Sequence, residues 1–552
     1  MTAEPRESDL QLARAGLIVT ATGIVSAGSV SYALGGASDL AFAFTFILYL
    51  GLIAFASARR PFRRSYLVAF GAFALAYIGL DDLTNGLAPG IALYLTAAAL
   101  AMLTTPPKFR PLTVGAFALW TPALRYFSAN PFAGEFPVAL AIATVLALFS
   151  LVMILLSRAE LDLDERLRRI GLGLLAVACV ATVSERHSVV GSGGAPAPDD
   201  VAALVVVALF PILAVARLRA KTRDALATGL ALGLYALVGL ALILGKGYHV
   251  DSVAVAHRSA ELFLAGEDPY AALDVADALR EFHLDPELGT HLEDGSQVHT
   301  LNYPAMSFLV IAPFVKAGLT DIRYVYLGEI ILLVLVLLRP IRIPWRPLVA
   351  AVVVGNTVIE RQNVLAGVDP AWALFTAFGF MFIRHRWLSP IFIGLAVASR
   401  QPAWFFAPFY LLGVWRQDGR REALRRAALV AAAALLPNLP FILAAPGAFW
   451  DGVTAPTLAP LEPYGVGLIR FATAGLIPLW PRAVYGVVAL VVMAGLLVLL
   501  WRRWRSLPNA AVVFPSLVLW FAWRSLQNYF GFAGLLALVG DESLLGEEDR
   551  PT

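Results

Sequence analysis

The chain has 552 residues, of which 59% are hydrophobic and 15% are charged. Soluble domains are usually about 45 to 50% apolar and about 25% charged, so this composition excludes an ordinary soluble protein and indicates a polytopic membrane protein. The formal net charge of +3 is too small to predict a nucleic-acid partner. The single cysteine, Cys179, lies in an apolar run and excludes both an intrachain disulfide and a cysteine-based metal site.

Basic clusters between apolar runs predict the topology. Apolar runs of roughly 17 to 25 residues can cross a membrane, and lysine and arginine mark the cytoplasmic loops. The basic clusters lie at 59–64, 108–110, 158–169, 217–223, 339–346, 384–386, 416–426 and 501–505. We therefore predict an all-α protein of helical hairpins with about 18 membrane spans. Its polar N-terminal segment is predicted to be a cytoplasmic tail rather than a signal peptide.

The stretch 246–316 is the longest polar interruption of the chain. The chain is predicted to lie in the plasma membrane. About nine predicted spans precede this stretch, so it is predicted to be a loop on the extracytoplasmic side. The apolar run 303–317 contains two prolines and is too short to cross about 30 Å of hydrocarbon, which predicts an interfacial or re-entrant helix before a true span at 322–338. A second outer loop is predicted at 445–480, and the acidic tail 542–552 is predicted to be cytoplasmic.

The sequence predicts two transmembrane parts. Residues 1–223 form an N-terminal helical block whose spans carry no evident polar cluster, which favours packing or partner contacts. Residues 224–541 form a second module that contains the large loop. Because charged groups at membrane depth cost about 2.5 to 3.5 kcal/mol each, polar residues that collect at the outer ends of its spans indicate a site. These residues are Asp251, Glu360, Arg361, Gln362, Asn363, Asp369, Arg400, Gln401, Arg524, Gln527 and Asn528.

Asp251 begins a segment with the apolar spacing of an amphipathic helix, predicted over 251–264. Its carboxylate would serve equally well as a helix cap or as a reactive group, and the spacing leaves both interpretations open. Most of the chain's seven histidines lie in the same loop. They show no metal-ligand spacing, so they are interpreted as solvated loop residues, and neither a metal nor a cofactor is predicted.

Several motifs in residues 240–535 together resemble one enzyme family. An aspartate just outside a span is followed by an amphipathic helix, by G-x-D-P-Y at Gly266 to Tyr270, and by the segment NYPAMSFLVIAPF. Further motifs are ERQN at Glu360, GLAVASRQP at Arg400 and WRSLQNYF at Arg524. This combination resembles glycosyltransferase family 87, in the GT-C superfamily of polyprenyl-phosphate-sugar-dependent membrane transferases. The chain departs from the family pattern at Ala305, Arg361 and Arg400, the last of which preserves a cation.

The resemblance implies a GT-C-like fold and an inverting transfer of a mannose-like hexose. The donor would be a polyprenyl-phosphate-linked sugar, and the acceptor a lipid, glycan or protein outside the cytoplasm. It implies that Asp251 is the general base and that a cation, Arg400 first and then Arg361 and Arg524, holds the departing phosphate. The implied substrate-binding residues are Asp268, Tyr270, Tyr303, Gln362, Asn363, Gln401 and Asn528.

Two other functions remain open from the residues alone. A transporter or lipid-linked-sugar flippase would use broken helices to line a path, and Glu329, one or two turns into its predicted span, suits that function best. A non-catalytic assembly subunit would suit the N-terminal block.

Overall fold

The computed structural model describes residues 7–57, 65–80, 89–129, 144, 146–147, 163–190, 198–507 and 509–539. Within these residues most of the chain is helical. Its longest sheet is a pair of parallel two-residue strands, Tyr464–Gly465 (β1) and Arg524–Ser525 (β2). The prediction of an all-α protein is therefore confirmed.

Eight described α-helices precede the large loop. They are α1 (Glu7–Ala33), α2 (Asp39–Ala56), α3 (Ser65–Gly79), α4 (Pro89–Thr104), α5 (Arg110–Ala129), α6 (Leu163–Val190), α7 (Pro198–Val215) and α8 (Ala220–Gly245). The spans predicted within 130–162 lie almost wholly outside the described residues.

The loop and the C-terminal half are also helical. The loop contains α9 (Asp251–Leu264), α10 (Pro269–Ala272), α11 (Val275–Glu281), α12 (Met306–Leu309) and α13 (Ala312–Lys316). The elements after it are α14 (Arg323–Leu338), α15 (Arg346–Val354), α16 (Thr357–Ile359), α17 (Ala371–Met381), α18 (Leu388–Ser399), α19 (Phe406–Asp418), α20 (Arg420–Ala444), α21 (Pro446–Leu458), α22 (Leu468–Thr473), α23 (Arg482–Arg503), α24 (Ala510–Trp520) and α25 (Ala533–Val539).

Six of the described helices are long and apolar enough to cross a membrane, namely α1, α2, α6, α8, α20 and α23. Several shorter apolar helices of 10–17 residues accompany them. Apolar helices of this length indicate a membrane protein. The amphipathic helix predicted over 251–264 is confirmed as α9. The run 303–317 forms two short helices, α12 and α13, rather than the single predicted helix, and Pro313 stands at the start of the second.

The N-terminal helices and the later helices share one hydrophobic core. A helix break between α15 and α16 lies in this core, and side chains from the N-terminal helices satisfy its backbone groups. Ser26 Oγ of α1 donates to the Gly355 carbonyl at 2.7 Å, and Thr182 of α6 donates to the Val354 carbonyl. A broken helix is tolerated in apolar surroundings only where such partners exist. The division predicted at residue 223 is therefore bridged by direct hydrogen bonds.

The large loop has a second core of its own, to which α9 to α13 and the start of α21 contribute. Its root is held by Arg323, whose guanidinium is 1% exposed. Arg323 donates to the carbonyls of Ile243 and Lys246 at 2.9 and 2.8 Å, and pairs with Asp321 at 2.7 Å. Because these carbonyls end α8, one side chain caps that helix and fixes the chain on both sides of the loop.

Close packing of α1 on α5 generates a stability prediction. A Cβ added at Gly23 would lie 2.3 Å from the Ala118 carbonyl carbon, whereas one added at Gly51 on α2 would meet no atom within 4 Å. We expect Gly23→Ala to destabilise the protein by about 1 to 3 kcal/mol, because a backbone must move. Gly51→Ala is the matched control and should be neutral or slightly stabilising. Thermal unfolding in detergent measures both, and equal unfolding temperatures would contradict the packing.

Candidate functional site

Asp251 is the first residue of α9, at the root of the large loop. Its Oδ2 accepts a hydrogen bond from Thr290 Oγ1 at 2.8 Å, and its side chain remains partly exposed. The N-cap position belongs to Val250, and no side chain caps the helix there. The carboxylate is therefore directed toward the middle of the loop and not toward the N–H groups of its own helix.

Tyr303 lies next to Arg400, the first choice for a phosphate ligand. The Arg400 guanidinium lies over the Tyr303 ring, 4.3 Å from its centroid. Burial raises the pKa of the Tyr303 hydroxyl to about 12, while Arg400 lowers it and Asp251 raises it. Arg400 thus contacts Tyr303 directly and Asp251 acts on it only through its charge, which makes these three residues the candidate site.

Arg400 owes its position to a break between two helices. Its backbone is extended, with φ −152° and ψ 150°, between α18 and the 3₁₀ turn Gln401–Phe405. The side chain is only 4% exposed, and its Nε has no hydrogen-bond partner. Among the described residues its ion-pair contact is with Asp369 Oδ2, 3.9 Å from Nε. A guanidinium held in this way keeps donors available for an anionic ligand.

The C-terminal motif contributes to the same site. Arg524 lies on β2, and the pairing of β2 with β1 fixes it beside Tyr464, in the stretch 445–480. Its charge acts on Tyr303 and on Tyr529, and Arg400 also acts on Tyr529. Asn528, the residue before Tyr529, is 4% exposed, and its Nδ2 has no hydrogen-bond partner. Arg400 thus contacts Tyr303 directly, while Asp251 and Arg524 influence the charge on its hydroxyl.

Arg361 points elsewhere. Its Nη1 donates to the Ser29 carbonyl at 3.0 Å and lies 3.7 Å from Glu185 Oε1. Both partners belong to N-terminal helices, so Arg361 ties the π-helical turn Glu360–Leu365 to α1 and α6.

In four of the predicted substrate-binding residues, a polar side-chain group is hydrogen-bonded to the protein backbone. The Tyr270 hydroxyl donates to the Tyr303 carbonyl at 2.8 Å, and Asp268 caps α10 by accepting from the Tyr270 N–H at 3.0 Å. Gln401 Nε2 donates to the Asn302 carbonyl at 2.7 Å, and Asn363 Nδ2 donates to the Val368 carbonyl at the same distance. Tyr270 and Gln401 therefore fix the chain around Tyr303.

Gln362 is another of the predicted substrate-binding amides. It is half-buried, and its backbone carbonyl accepts from the Val368 N–H at 3.0 Å.

The N-terminal block does contain a polar cluster, and the expectation that its spans lack one is wrong. Glu185 on α6 is completely buried and accepts a hydrogen bond from Ser29 at 3.2 Å. His187, two residues later, lies 2.6 Å from Asp200 of α7. The sequence signal was present as SERHS at 184–188, but it stands close to the end of an apolar run and resembled the edge of a loop.

Thr290, Tyr326 and Tyr529 were missed by the sequence interpretation. Thr290 contacts Asp251 from the far side of the loop, while Tyr326 and Tyr529 reach the neighbourhood of Arg400. A hydroxyl in a polar loop, or a tyrosine in an apolar run, has no distinctive spacing.

The loop histidines serve in packing and pairing. His257 is 3% exposed, stacks on Phe282 at 4.7 Å between centroids, and lies 3.1 Å from the Tyr248 hydroxyl. His291 and His299 each lie near one carboxylate, Glu287 and Asp274 respectively. Among the described residues no group of three or more histidine, cysteine, aspartate or glutamate side chains is arranged to hold a metal ion.

Comparisons with known proteins gave no match: no family model, no curated protein and no solved structure is similar to this chain at the significance required. The chemistry of the site must therefore be inferred from its own residues.

Burial of His257 predicts a pH dependence of the loop's stability. Desolvation lowers the pKa of His257 below its usual value of about 6.5, although Glu261 opposes this. The folded loop thus favours the neutral imidazole, so its stability is complete above about pH 6.5 and declines as the pH falls toward the lowered pKa. Burial also lowers the pKa of His249. We expect faster proteolysis of the loop at pH 5 than at pH 7.5.

The matched test replaces His257 by glutamine, which cannot be protonated. Its loop should show a smaller difference in proteolysis between the two pH values. An exposed histidine, His299, provides the control substitution His299→Gln, for which the difference should stay as in the wild type. An undiminished difference in His257→Gln would contradict the assignment.

Proposed function

We propose that this chain is an integral membrane glycosyltransferase similar to glycosyltransferase family 87. It moves a hexose from a polyprenyl-phosphate-linked donor to a lipid, glycan or protein acceptor on the outer side of the membrane. The observation that carries the proposal is a buried guanidinium, Arg400, in contact with the ring of Tyr303, a residue whose hydroxyl also experiences the charge of the partly exposed carboxylate Asp251.

The proposed reaction requires one base and one cation. Asp251 removes the proton from the acceptor hydroxyl while that oxygen attacks the anomeric carbon from the face opposite the phosphate. The bond between the anomeric carbon and the phosphate oxygen breaks, and polyprenyl phosphate leaves with the electron pair, so the configuration inverts. A phosphate ester is already a good leaving group, which removes the need for the second carboxylic acid that most glycosidases use.

Arg400 is the proposed phosphate ligand. A guanidinium matches two phosphate oxygens at once, and in a site with little water it stabilises developing negative charge strongly. Arg524 is the proposed second cation because its charge reaches Tyr303 and Tyr529. Arg361 is assigned a structural role instead, since its partners are Ser29 and Glu185.

The fold supports this assignment at a coarser level. Long apolar helices accompany short, broken ones, and the polar residues gather where the large loop and the second outer loop meet. Backbone bonds join these loops, from the Glu293 N–H to the Pro460 carbonyl at 2.7 Å and from the Glu462 N–H to the His291 carbonyl at 3.0 Å. We assign 224–541 to a GT-C-like module with about 18 spans in the whole chain, both termini cytoplasmic and the site outside.

A transporter is the second candidate, and Glu329 favours it. This carboxyl lies on α14, is 8% exposed, and its Oε2 has no hydrogen-bond partner. Buried carboxyls at membrane depth often carry protons or ions. Uptake or export of a labelled solute that depends on Glu329 would favour transport over transfer.

Replacing Asp251 tests the enzyme directly. We expect Asp251→Asn to lower the transfer rate by about 10² to 10⁴-fold, because general-base catalysis contributes on that order. The assay incubates the inserted protein with radiolabelled polyprenyl-phosphate sugars and identifies the labelled product. Asp277→Asn, a change at an exposed position of the same loop, is the control and should keep wild-type activity. Unchanged activity in Asp251→Asn would refute the proposed role.

Thr290 should act as a positioning residue for Asp251. Thr290→Val removes the hydroxyl that holds Oδ2, and we expect kcat to fall by about 10-fold with little change in KM, since a hydrogen bond to a charged group is worth about 1.5 to 3 kcal/mol. Thr290→Ser keeps the hydroxyl and should restore most of the rate. A loss of activity that serine does not rescue would indicate a packing role.

A further inference from the structure

Arg400 adjoins three buried polar residues that the proposed reaction does not use, and together they form a buried polar group. Four of its atoms have no hydrogen-bond partner, namely Arg400 Nε, Asp369 Oδ2, Glu329 Oε2 and the Tyr326 hydroxyl. The four residues are 4%, 2%, 8% and 1% exposed, respectively. Buried polar atoms are normally hydrogen-bonded, and leaving them without a partner costs free energy. A ligand or water must therefore supply what the protein does not.

These residues come from three separate elements but act on one another. Tyr326 and Glu329 are one turn apart on α14, which places them on the same face of that helix. Asp369 precedes α17, and its Oδ2 lies 3.9 Å from Arg400 Nε. The charge of Asp369 acts on both Glu329 and Tyr326, and Arg400 also acts on Tyr326. Helix α14 also packs against α17, which Asp369 precedes, and Arg400 lies over the Tyr303 ring, so the unpartnered atoms are taken as one group that adjoins Tyr303 through Arg400.

The position of this group is fixed by the backbone. Asp369 Oδ1 accepts the Ala371 N–H at 2.7 Å, so that only Oδ2 remains for a ligand. The turn before it requires Gly367, whose φ is +68° and where an added Cβ would lie 2.8 Å from Val253 Cγ2 of α9. The turn that positions Asp369 therefore packs closely against α9, the helix that begins with Asp251.

The mixture of atoms identifies the kind of ligand. Two carboxyl oxygens accept hydrogen bonds, a guanidinium N–H donates one, and a phenol does either. A phosphate lying between the two carboxyls and away from Arg400 would be repelled by them, and among the described residues the group offers fewer than the three ligating side chains that a metal site would need. Hydroxyl groups, which donate and accept at once, fit the two carboxyl oxygens and the phenol and leave Arg400 to the phosphate.

We propose that Tyr326, Glu329 and Asp369 form, beside Arg400, a subsite that binds the ring hydroxyls of the transferred sugar and selects which sugar is transferred. The inference rests on the proposed function. If Arg400 holds the donor phosphate at Tyr303, the group attached to that phosphate is the donor sugar, and its hydroxyls lie within reach of the carboxyls that adjoin Arg400. A site whose polar groups bond to substrate hydroxyls rejects analogues that lack them.

The test compares sugar discrimination in three variants of the full-length protein in lipid nanodiscs. Tyr326→Phe removes one hydroxyl, and Glu329→Gln removes one charge while keeping the shape. Tyr235→Phe is the matched control, because the Tyr235 hydroxyl is also buried without a hydrogen-bond partner but lies on α8. The donors are polyprenyl-phosphate hexoses of different configuration and the monodeoxy analogues of the best one.

We expect the wild-type protein to lose about 10 to 100-fold in kcat/KM with one of the deoxy donors. Tyr326→Phe and Glu329→Gln should lower kcat/KM for the complete donor by a similar factor and abolish discrimination against that analogue, with the KM of the acceptor unchanged. Tyr235→Phe should discriminate as the wild type does.

The outcomes separate this inference from the function on which it rests. If the wild-type protein transfers sugar and both variants keep its discrimination, the subsite is refuted and water fills the group. If the variants lose activity equally on every donor, the residues are structural and the subsite is again refuted. If the wild-type protein transfers no sugar from any donor, the proposed function itself fails, and the subsite with it.

Discussion

The need to satisfy the backbone of a broken helix in apolar surroundings governs much of this structure. Between α15 and α16 the helix is interrupted at Gly355, and water cannot supply the missing hydrogen bonds there. Ser26 serves two of the groups, accepting from the Thr357 N–H at 3.2 Å while it donates to the Gly355 carbonyl at 2.7 Å. Asn356 in turn donates to the Gly531 carbonyl at 2.8 Å. The N-terminal block therefore helps to stabilise the interruption between α15 and α16.

The same break carries the site. It leads into the π-helical turn Glu360–Leu365 and then into the turn that presents Asp369, while a second break presents Arg400. In a continuous helix the backbone groups bond to one another. An interrupted helix leaves some of these groups free and lets polar side chains at the interruption reach the apolar part of the protein. The cost of each interruption is offset by neighbouring polar side chains, and the benefit is a set of polar atoms held rigidly next to one another.

The sequence was sufficient for the helical class and the bounds of α9. It also singled out Asp251 and Arg400, whose roles stay predictions. Period and flanking turn residues encode the class and the bounds, since an amphipathic spacing ends at Gly266, whose φ of +83° suits a helix end. It was not sufficient for the partner of each polar residue. Arg361 and Arg400 are both candidate phosphate ligands in the sequence, but one pairs with Glu185 and the other lies over the Tyr303 ring, which depends on the packing of distant segments.

The ion pair between Glu185 and Arg361 has a consequence for how the protein is made. Helix α6 is synthesised and delivered to the bilayer long before Arg361 leaves the ribosome, so its buried carboxyl first enters the membrane without its cation. A charge at the centre of a membrane helix costs about 2.5 to 3.5 kcal/mol on insertion scales, and Glu185, which lies nearer the end of α6, costs part of that. The apolar residues of α6 must carry that cost alone, and the helix reaches its final environment, in which 94% of its apolar window is covered by protein, only after the C-terminal half has arrived.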